Sequence, residues 1–237
     1  GVLEAACAKL NAGFNSRMQR GRPLVRIKQA VSLDGRTALA SGVSHWISGE
    51  ASRADVQRWR ARSSAILTGV GTILADNPSL NVRDQSLGVI SQPQRIIVDS
   101  QLRTPPGART LQLDGVTRVF CATDDESQRQ ALQEAGAEVE TLPGPDGRVD
   151  LERLLSRLAE LQINELLVEA GPALNGALLK SGLVDELLMY QAAHVMGAGA
   201  QGAFALPDLQ SMDERYLFNL QDVRRVGDDL RLLYIRS

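Results

Sequence analysis

The sequence predicts an α/β fold, with a mostly parallel central sheet flanked by helices and a C-terminal antiparallel hairpin. Three observations support this prediction. From Val116 onward, short apolar runs alternate with helical patterns, which is the order of elements in a parallel sheet. The last two such runs, Phe218–Val226 and Leu230–Arg236, are separated by a short Gly-Asp-Asp turn, a hairpin signal. The chain of 237 residues, 43% hydrophobic, is also long enough to bury a substantial core.

The first third of the chain supplies elements of both kinds. Val2–Arg20 carries apolar residues at helical spacing, so we expect a linker helix over residues 1–22 and the folded domain over residues 23–237. Leu24–Val31 alternates as a strand does, and the turn residues Ser32–Gly35 end it. Ser48 is a candidate N-cap for a helix that runs to about Arg62. A strand is predicted over residues 65–68, with a helix start or tight turn at residues 69–72.

The remaining elements follow the alternation. Strands are predicted over residues 95–99, 116–122, 137–142 and 186–193, and helices over residues 127–135 and 151–161.

The most informative stretch is Ile163–Leu179. An apolar run ends in Glu169 and passes through Gly171-Pro172 into a small-residue helix. Pro172 suits a first helical position, and Gly171 allows a ligand to approach the backbone closely. The positive end of such a helix favours a phosphate. The alternative is an ordinary strand-to-helix turn with a surface glutamate.

Composition excludes several classes of function. The formal net charge of −2 gives no basic field for nucleic acid. Cys7 and Cys121 are isolated, so neither a disulfide framework nor a zinc site is implied, and a cytoplasmic location is expected. No apolar run approaches the roughly 18 residues of a membrane span, and no signal peptide is evident. His45 and His194 lack partners at ligand spacing, so no metal is expected.

Chemistry-bearing residues follow several predicted strands. Ligands of parallel sheets bind at the carboxyl ends of strands, and these segments are candidates: Lys28–Asp34, Thr68–Asp76, Asp99–Arg103 and Glu169–Ala177. The Gly-x-Gly-x-x-Gly fingerprint, a P-loop and a nucleophile elbow are absent from the sequence.

Arginines and one tryptophan complete the candidates. Arg53 and Arg60 lie two turns apart on the predicted helix and Arg83 follows, which suits either a phosphate site or a solvated basic face with Asp55 paired to Arg58. Trp46, in a Gly/Ser loop, is either a packing residue or an aromatic that closes over a cofactor ring.

Three long motifs carry a family resemblance. They are VRIKQAVSLDGRTALASGVSHWISGEASRADVQRWRARSSAILTGVGTILADNPSLNVR, RIIVDSQLRTPPGA and VEAGPALNGALLKSGLVDELLMY. From about Leu24 to the C-terminus, the chain closely resembles the reductase domain of the bifunctional riboflavin-biosynthesis deaminase–reductase. The resemblance implies a dihydrofolate-reductase-like fold. It also implies NADPH-dependent reduction of 5-amino-6-(5-phosphoribosylamino)uracil, a small phosphoribosylaminouracil, whose ribose becomes a ribityl chain.

The resemblance also implies site residues. Substrate contacts fall on Ser44, Arg60, Leu80, Arg83 and Glu169. Cofactor contacts fall on Ala30, Trp46, Thr72, Asp76, Ser100 and the turn Gly171, Pro172, Ala173, Leu174, Asn175, Gly176, Ala177. Lys28 matches a strand lysine of the same pocket, and we assign catalysis to Lys28 and Glu169. Lys28 is either the acid or an electrostatic binding group, whereas Glu169 positions or relays protons. Arg103 is our own inference, as a partner of the cofactor's 2′-phosphate.

The family's deaminase half carries a zinc signature that nothing in this chain matches, so the chain corresponds to the reductase half. Because it opens with Gly1, we expect an upstream deaminase domain in the full protein, and the resemblance implies a homodimer. Two alternatives stay open. A folate or pterin reductase would use a helix carboxylate, for which Asp55 is the candidate, and a catalytically silent nucleotide-binding or dimerisation module would need no turnover.

Overall fold

The structure is a computed structural model that describes residues 1–88 and 91–237. The chain divides into two compact units, each assembled from segments distant in sequence. The first unit comprises Gly1–Val25, Arg60–Val82 and Ile90–Leu167. The second unit comprises Arg26–Trp59, Arg83–Val89 and Val168–Ser237.

Within the described residues, the α-helices are α1 (Glu4–Leu10), α2 (Ala12–Arg20), α3 (Glu50–Arg62), α4 (Val70–Asp76), α5 (Glu126–Glu134), α6 (Leu151–Glu160) and α7 (Pro172–Lys180). The strands are β1 (Leu24–Val31), β2 (Arg36–Ala38), β3 (Ala65–Gly69), β4 (Gln94–Val98), β5 (Thr117–Cys121), β6 (Glu138–Thr141), β7 (Glu165–Val168), β8 (Glu186–Gln191), β9 (Gln201–Gly202), β10 (Phe218–Val226) and β11 (Asp229–Arg236).

The first unit is built on parallel strands in the order β7-β3-β4-β5-β6. The pairs β3–β4, β4–β5 and β5–β6 are all parallel. Their central residues are apolar and wholly buried, as strands covered on both faces require, for example Ile66, Ile96 and Phe120. Helix α6 adds a leucine stripe to this core, because Leu154, Leu155 and Leu158 recur at helical spacing and are wholly buried.

The second unit carries strands in the order β10-β11-β8-β1. Strand β1 is parallel to β8, whereas β11 is antiparallel to both β8 and β10. The register places Ala30 opposite Tyr190 and Tyr190 opposite Arg231. Because side chains alternate along a strand, Arg26, Lys28 and Ala30 share one face of β1. The predicted mostly parallel α/β fold with a terminal antiparallel hairpin is confirmed.

Three local features differ from the sequence prediction. The single helix expected over Val2–Arg20 is two helices, separated at Asn11, whose side-chain amide donates to the Cys7 carbonyl at 2.9 Å. The division of the chain at residues 22 and 23 stays a prediction. The short pair β2–β9 was not predicted, because strands of two or three residues carry no usable periodicity.

The helix expected to be capped by Ser48 begins at Glu50 instead. Asp229, in the C-terminal hairpin, stabilises the start of this helix. Its Oδ2 accepts hydrogen bonds from the Gly49 N–H at 2.8 Å and from the Ser52 hydroxyl at 2.5 Å. The capping carboxylate is thus distant in sequence, which places it beyond the reach of any local capping pattern.

Among the described helices, none combines the length and the apolar character needed to cross a membrane. Across residues 1–88 and 91–237, no group of three or more His, Cys, Asp or Glu side chains is arranged to hold a metal ion.

Candidate active site

The carboxyl end of β7 and the middle of β1 are tied together in the second unit. The Gln29 side-chain amide, which is buried, donates to the Ala170 carbonyl at 2.9 Å. Gln29 adjoins Lys28 and Ala170 adjoins Glu169, and both of these candidate catalytic side chains are half-buried. The bond therefore brings the segments that carry Lys28 and Glu169 next to each other.

Tyr190 on β8 interacts with both candidates. Its side chain is wholly buried, and the Lys28 Nζ lies over its ring, 5.9 Å from the centroid. Burial, the hydrogen bond to Asp55 and the charge of Glu169 raise the pKa of Tyr190 above its usual range. The negative charge of Glu169 makes ionisation of the Tyr190 hydroxyl less favourable, so the phenol stays neutral.

A network of buried charges holds Tyr190. The Tyr190 hydroxyl donates to Asp55 Oδ2 at 2.7 Å, and Arg231 Nη1 donates to the same oxygen at 2.9 Å. Arg231 Nη2 also donates to Asp222 at 3.0 Å. Burial alone would raise the pKa of the Asp55 carboxyl, but the hydrogen bonds from Tyr190 and Arg231 outweigh burial and lower the pKa.

This network bears on the pterin alternative. Asp55 is only 7% exposed, and one of its oxygens accepts from two donors within the protein. Because these hydrogen bonds occupy the Asp55 carboxylate within the protein, it is not presented to a ligand. Asp55 was the candidate carboxylate for a folate or pterin reductase, so the structure does not support that alternative.

The turn after β7 has the predicted form. Helix α7 begins at Pro172, and Gly171 precedes it with extended dihedrals and without a side-chain capping bond. A Cβ on Gly176 would lie 2.1 Å from the Ala205 carbonyl oxygen, so only glycine fits that position. Asn175 is wholly buried: its Nδ2 donates to the Ala170 carbonyl, while its Oδ1 has no hydrogen-bond partner among the described residues. Ala177 and Leu174 are half-buried, and Ala173 is exposed.

The loop before α3 presents an aromatic stack. Trp46 is 73% exposed, so it is not a core residue. Its ring stacks on His45 with 5.3 Å between centroids, and the Arg53 guanidinium lies 4.4 Å from its centroid. Ser44 is half-buried nearby in sequence. This arrangement leaves a broad apolar surface of Trp46 open to solvent, as a ring that covers a ligand would require.

The first unit carries other candidates. Thr72 is half-buried and Asp76 exposed on α4. After β4, the Ser100 hydroxyl accepts from the Val149 N–H at 3.1 Å, and Arg103 is exposed.

That turn after β4 is fixed by Asp99. Its Oδ2 accepts from the Thr104 N–H at 2.6 Å and from the Thr104 hydroxyl at 2.7 Å. These two hydrogen bonds close the turn that carries Ser100 and Arg103.

The predicted phosphate-binding residues differ in what they contact. Arg60 Nη1 donates to the Asn81 carbonyl at 2.9 Å, which commits part of its guanidinium to the loop. Leu80 has a positive φ of 48° and a side chain that is 2% exposed, so a contact from this residue to a ligand would come from its backbone. Arg83 is exposed, and its backbone N–H donates to Gln57 at 2.8 Å.

Sequence reasoning missed Tyr190 and Arg231. In the sequence, Tyr190 lies in an apolar strand and resembles a core residue, whereas Arg231 resembles a surface residue of the hairpin. One pattern could have identified Arg231: the two-residue period of β11 places it on the same face as Leu233.

Known proteins resemble this chain over almost its whole length. The family model described as "RibD C-terminal domain" matches residues 23–232. The Riboflavin biosynthesis protein RibD of Escherichia coli K12 is 42% identical over 98% of the chain, and that of Haemophilus influenzae is 38% identical over 98%. The chain spans 65% and 64% of the lengths of these relatives.

Solved structures agree with this relationship. Acinetobacter baumannii RibD, form 1, matches with a TM-score of 0.90 and 39% identity over 100% of this chain and 64% of that one. A deaminase/5-amino-6-(5-phosphoribosylamino)uracil reductase from Thermotoga maritima matches with a TM-score of 0.82 and 26% identity over 100% and 63%. The Saccharomyces reductase Rib7, at 21% identity and a TM-score of 0.70 over 92% and 91%, shares the fold. The extent of the family match and the identity to the RibD proteins lead to one conclusion: this chain belongs to the RibD C-terminal domain family.

Proposed function

We propose that this chain is an NADPH-dependent oxidoreductase that reduces 5-amino-6-(5-phosphoribosylamino)uracil to its ribityl product in riboflavin biosynthesis. The carrying observation is that the Gln29–Ala170 hydrogen bond joins the two segments that bear Lys28 and Glu169, and that both side chains interact with Tyr190. A cation and a carboxylate on adjoining segments can supply the two kinds of proton transfer that this reaction needs. Membership of the RibD C-terminal domain family supports the same reaction class.

The substrate's chemistry defines what the side chains do. Its ribose is a glycosylamine, so ring opening breaks the bond between the anomeric carbon and the ring oxygen and forms a carbon–nitrogen double bond. A proton moves from the nitrogen to the ring oxygen, and Glu169 is the candidate relay for this step. Reduction adds a hydride to the anomeric carbon and a proton to the nitrogen. Lys28 is the candidate donor of that proton, or a charge that stabilises the developing anion.

The residues present fit a nicotinamide dinucleotide phosphate. The buried Asn175 Oδ1 lacks a partner among the described residues, and α7 presents a helix N-terminus that has no side-chain cap. The turn from Gly171 to Ala177 would hold the pyrophosphate, Trp46 would cover a ring, and Ser100 and Arg103 would meet the 2′-phosphate. Ala30, Thr72 and Asp76 remain proposed cofactor contacts. The cofactor supplies the hydride when it is bound.

Substrate contacts and the wider context complete the proposal. Ser44, Arg60, Leu80 and Arg83 remain the proposed contacts to the uracil and the phosphate. An upstream deaminase domain in the full protein is supported by the greater length of the relatives and by the name of the Thermotoga protein. A homodimer and a cytoplasmic location belong to the proposal as well.

Turnover by the purified chain tests the proposal. The absorbance of NADPH is followed with and without 5-amino-6-(5-phosphoribosylamino)uracil, and NADH is run in parallel. We expect loss of NADPH that depends on the substrate. Binding of NADPH without turnover would exclude this substrate for the isolated chain, and failure to bind NADPH would favour the silent-module alternative.

Substitution of Lys28 separates its two candidate roles. Lys28→Ala should lower kcat by about 10²-fold or more if the ammonium donates a proton. Lys180→Ala is the matched control, because Lys180 is an exposed lysine in the last turn of α7. A change confined to KM would make Lys28 a binding group and remove it from the proton transfers.

A further inference from the structure

The network around Tyr190 is more elaborate than support of the core requires. Tyr190 is wholly buried on β8, Asp55 comes from α3, and Arg231 comes from β11. Three separate elements of the second unit thus converge on one phenol. A buried phenol needs one hydrogen-bond partner, whereas here that partner, Asp55, is itself fixed by Arg231 at 2.9 Å.

The register of β1 and β8 relates this network to Lys28. In the register of β1 and β8, Tyr190 is opposite Ala30, and Lys28 shares the face of Ala30. The Lys28 Nζ therefore lies over the ring of Tyr190, at 5.9 Å from the centroid. A ring face is negative, so it attracts an ammonium at this distance.

We propose that Tyr190 is a positioning residue for Lys28: its buried ring sets where the ammonium lies, and the hydrogen bond from its hydroxyl to Asp55, which Arg231 also holds, adds to the support that burial gives the ring. A lysine has a flexible four-carbon stem, and contact with a fixed ring face restricts the positions that its ammonium samples. Proton transfer requires the donor at hydrogen-bond distance from its target, and a misplacement of about 1 Å lowers the rate about 10²-fold. This inference rests on the proposed function for its catalytic consequence, although the placement of Lys28 is independent of it.

The placement is tested without turnover. The chain contains three lysines, Lys9, Lys28 and Lys180, so reductive methylation with an isotopic label gives few NMR signals. The signal that disappears in Lys28→Arg belongs to Lys28. A methylamine held over a ring face is shifted upfield, so we expect the Lys28 signal upfield of those of Lys9, Lys180 and the α-amino group. Tyr190→Leu should move it to their range, and Tyr190→Phe should not. An unchanged signal in Tyr190→Leu would overturn the proposal.

Kinetics test the consequence. Tyr190→Leu should lower kcat by about tenfold to hundredfold while KM for substrate and cofactor changes little, and Tyr190→Phe should restore most of kcat because it keeps the ring. Tyr234→Leu is the matched control: Tyr234 is on β11, three residues from Arg231, and so faces the other side of the sheet. If Tyr190→Phe is as impaired as Tyr190→Leu, or if KM rises as kcat falls, the ring does not position Lys28.

The two proposals fail in different ways. If the wild-type chain has no turnover, the proposed function fails, and the methyl signal still decides whether Tyr190 positions Lys28. If the wild type is active and Tyr190→Leu retains kcat, only the positioning role is refuted. Urea unfolding of each variant shows whether a loss of kcat arises from loss of the fold.

Discussion

Two arginines with little exposure to solvent, Arg95 in the first unit and Arg231 in the second, are held in opposite ways. Arg95 on β4 is 1% exposed, and its guanidinium donates to the Thr117 hydroxyl at 2.8 Å. It also donates to the backbone carbonyls of residues 113–115 at 2.9–3.0 Å. These acceptors are neutral. Burial lowers the pKa of Arg95, and the charge of Asp114 opposes that shift in part.

Arg231 instead donates to two carboxylates. Burial would lower its pKa, but the hydrogen bonds to Asp55 and Asp222 outweigh burial and raise it. The comparison shows two uses of a buried cation. Arg95 donates hydrogen bonds to several carbonyls of one loop and so holds the backbone of that loop in place. Arg231 belongs to a cluster of both signs, in which each charge is compensated, and such a cluster can hold side chains next to reacting groups without a large excess charge.

Loss of Arg95 should give the largest effect on stability. Arg95→Met removes the hydrogen bonds of a charged guanidinium to the buried Thr117 hydroxyl and to three loop carbonyls. The free energy of unfolding should therefore fall by about 3–5 kcal/mol, measured by urea denaturation. Arg95→Lys retains a charge but not the planar fork and should recover only part of this loss. Arg148→Met is the control, because the Arg148 side chain is 76% exposed. A loss below about 1 kcal/mol for Arg95→Met would mean that the loop has other supports.

Loss of the Asp55 charge should have a smaller effect that depends on pH. Asp55→Asn can still accept a hydrogen bond from Tyr190 but weakens the bond from Arg231, so we expect a loss of about 2–3 kcal/mol near neutral pH. The pKa of the Asp55 carboxyl is lowered in the folded state. Its contribution is therefore present above the unfolded pKa of about 3.9 and is lost as the pH falls through the folded pKa.

Measuring the stability of both variants over a range of pH distinguishes the contribution of Asp55 from that of Arg95. The difference in unfolding free energy between the wild type and Asp55→Asn should be constant from neutral pH to about pH 4 and should shrink below it. Because Arg95 does not titrate in this range, the deficit of Arg95→Met should not shrink in the same way. A deficit of Asp55→Asn that persists unchanged at low pH would show that the charge of Asp55 is not what stabilises the fold.

Much of the fold was predictable because the sequence patterns that indicate its strands and helices are local. The strand predicted over Leu24–Val31 has the observed bounds, and the helix predicted to start at Pro172 starts there. Both depend on the periodicity and on the residues that flank the element. The predicted start of α3 was one residue too early, because the true start depends on Asp229, which is far along the chain.

The candidate site was predictable only in part, for the same physical reason. Glu169 directly follows the end of β7, and Lys28 lies three residues before the end of β1, so both are near the sheet edge where ligands of parallel sheets bind. The Tyr190–Asp55–Arg231 network joins three elements that sequence spacing does not connect. The left-handed backbone of Leu80 could not be foreseen either, because leucine rarely adopts it, and the residue was nominated by resemblance alone.

The smallest expected effect comes from a second charge pair in the second unit. Arg26 Nε donates to Glu186 at 2.6 Å, with side chains 4% and 11% exposed, and the two residues are opposite each other on β1 and β8. Replacing both at once, Arg26→Met with Glu186→Leu, removes two desolvated charges together. The free energy of unfolding should then stay within about 1 kcal/mol of the wild type, since desolvation offsets most of the attraction in a buried pair.

Either substitution alone should cost more than the double, because it leaves one buried charge uncompensated. Arg95 does not allow such a paired substitution, since its acceptors among the described residues are a hydroxyl and backbone carbonyls, and this is the main difference between the two regions. The Arg26 guanidinium also lies 4.6 Å from the Trp59 ring centroid. A double variant as unstable as Arg26→Met would therefore show that Arg26 stabilises the unit through that stacking, and that charge pairing is not its main contribution.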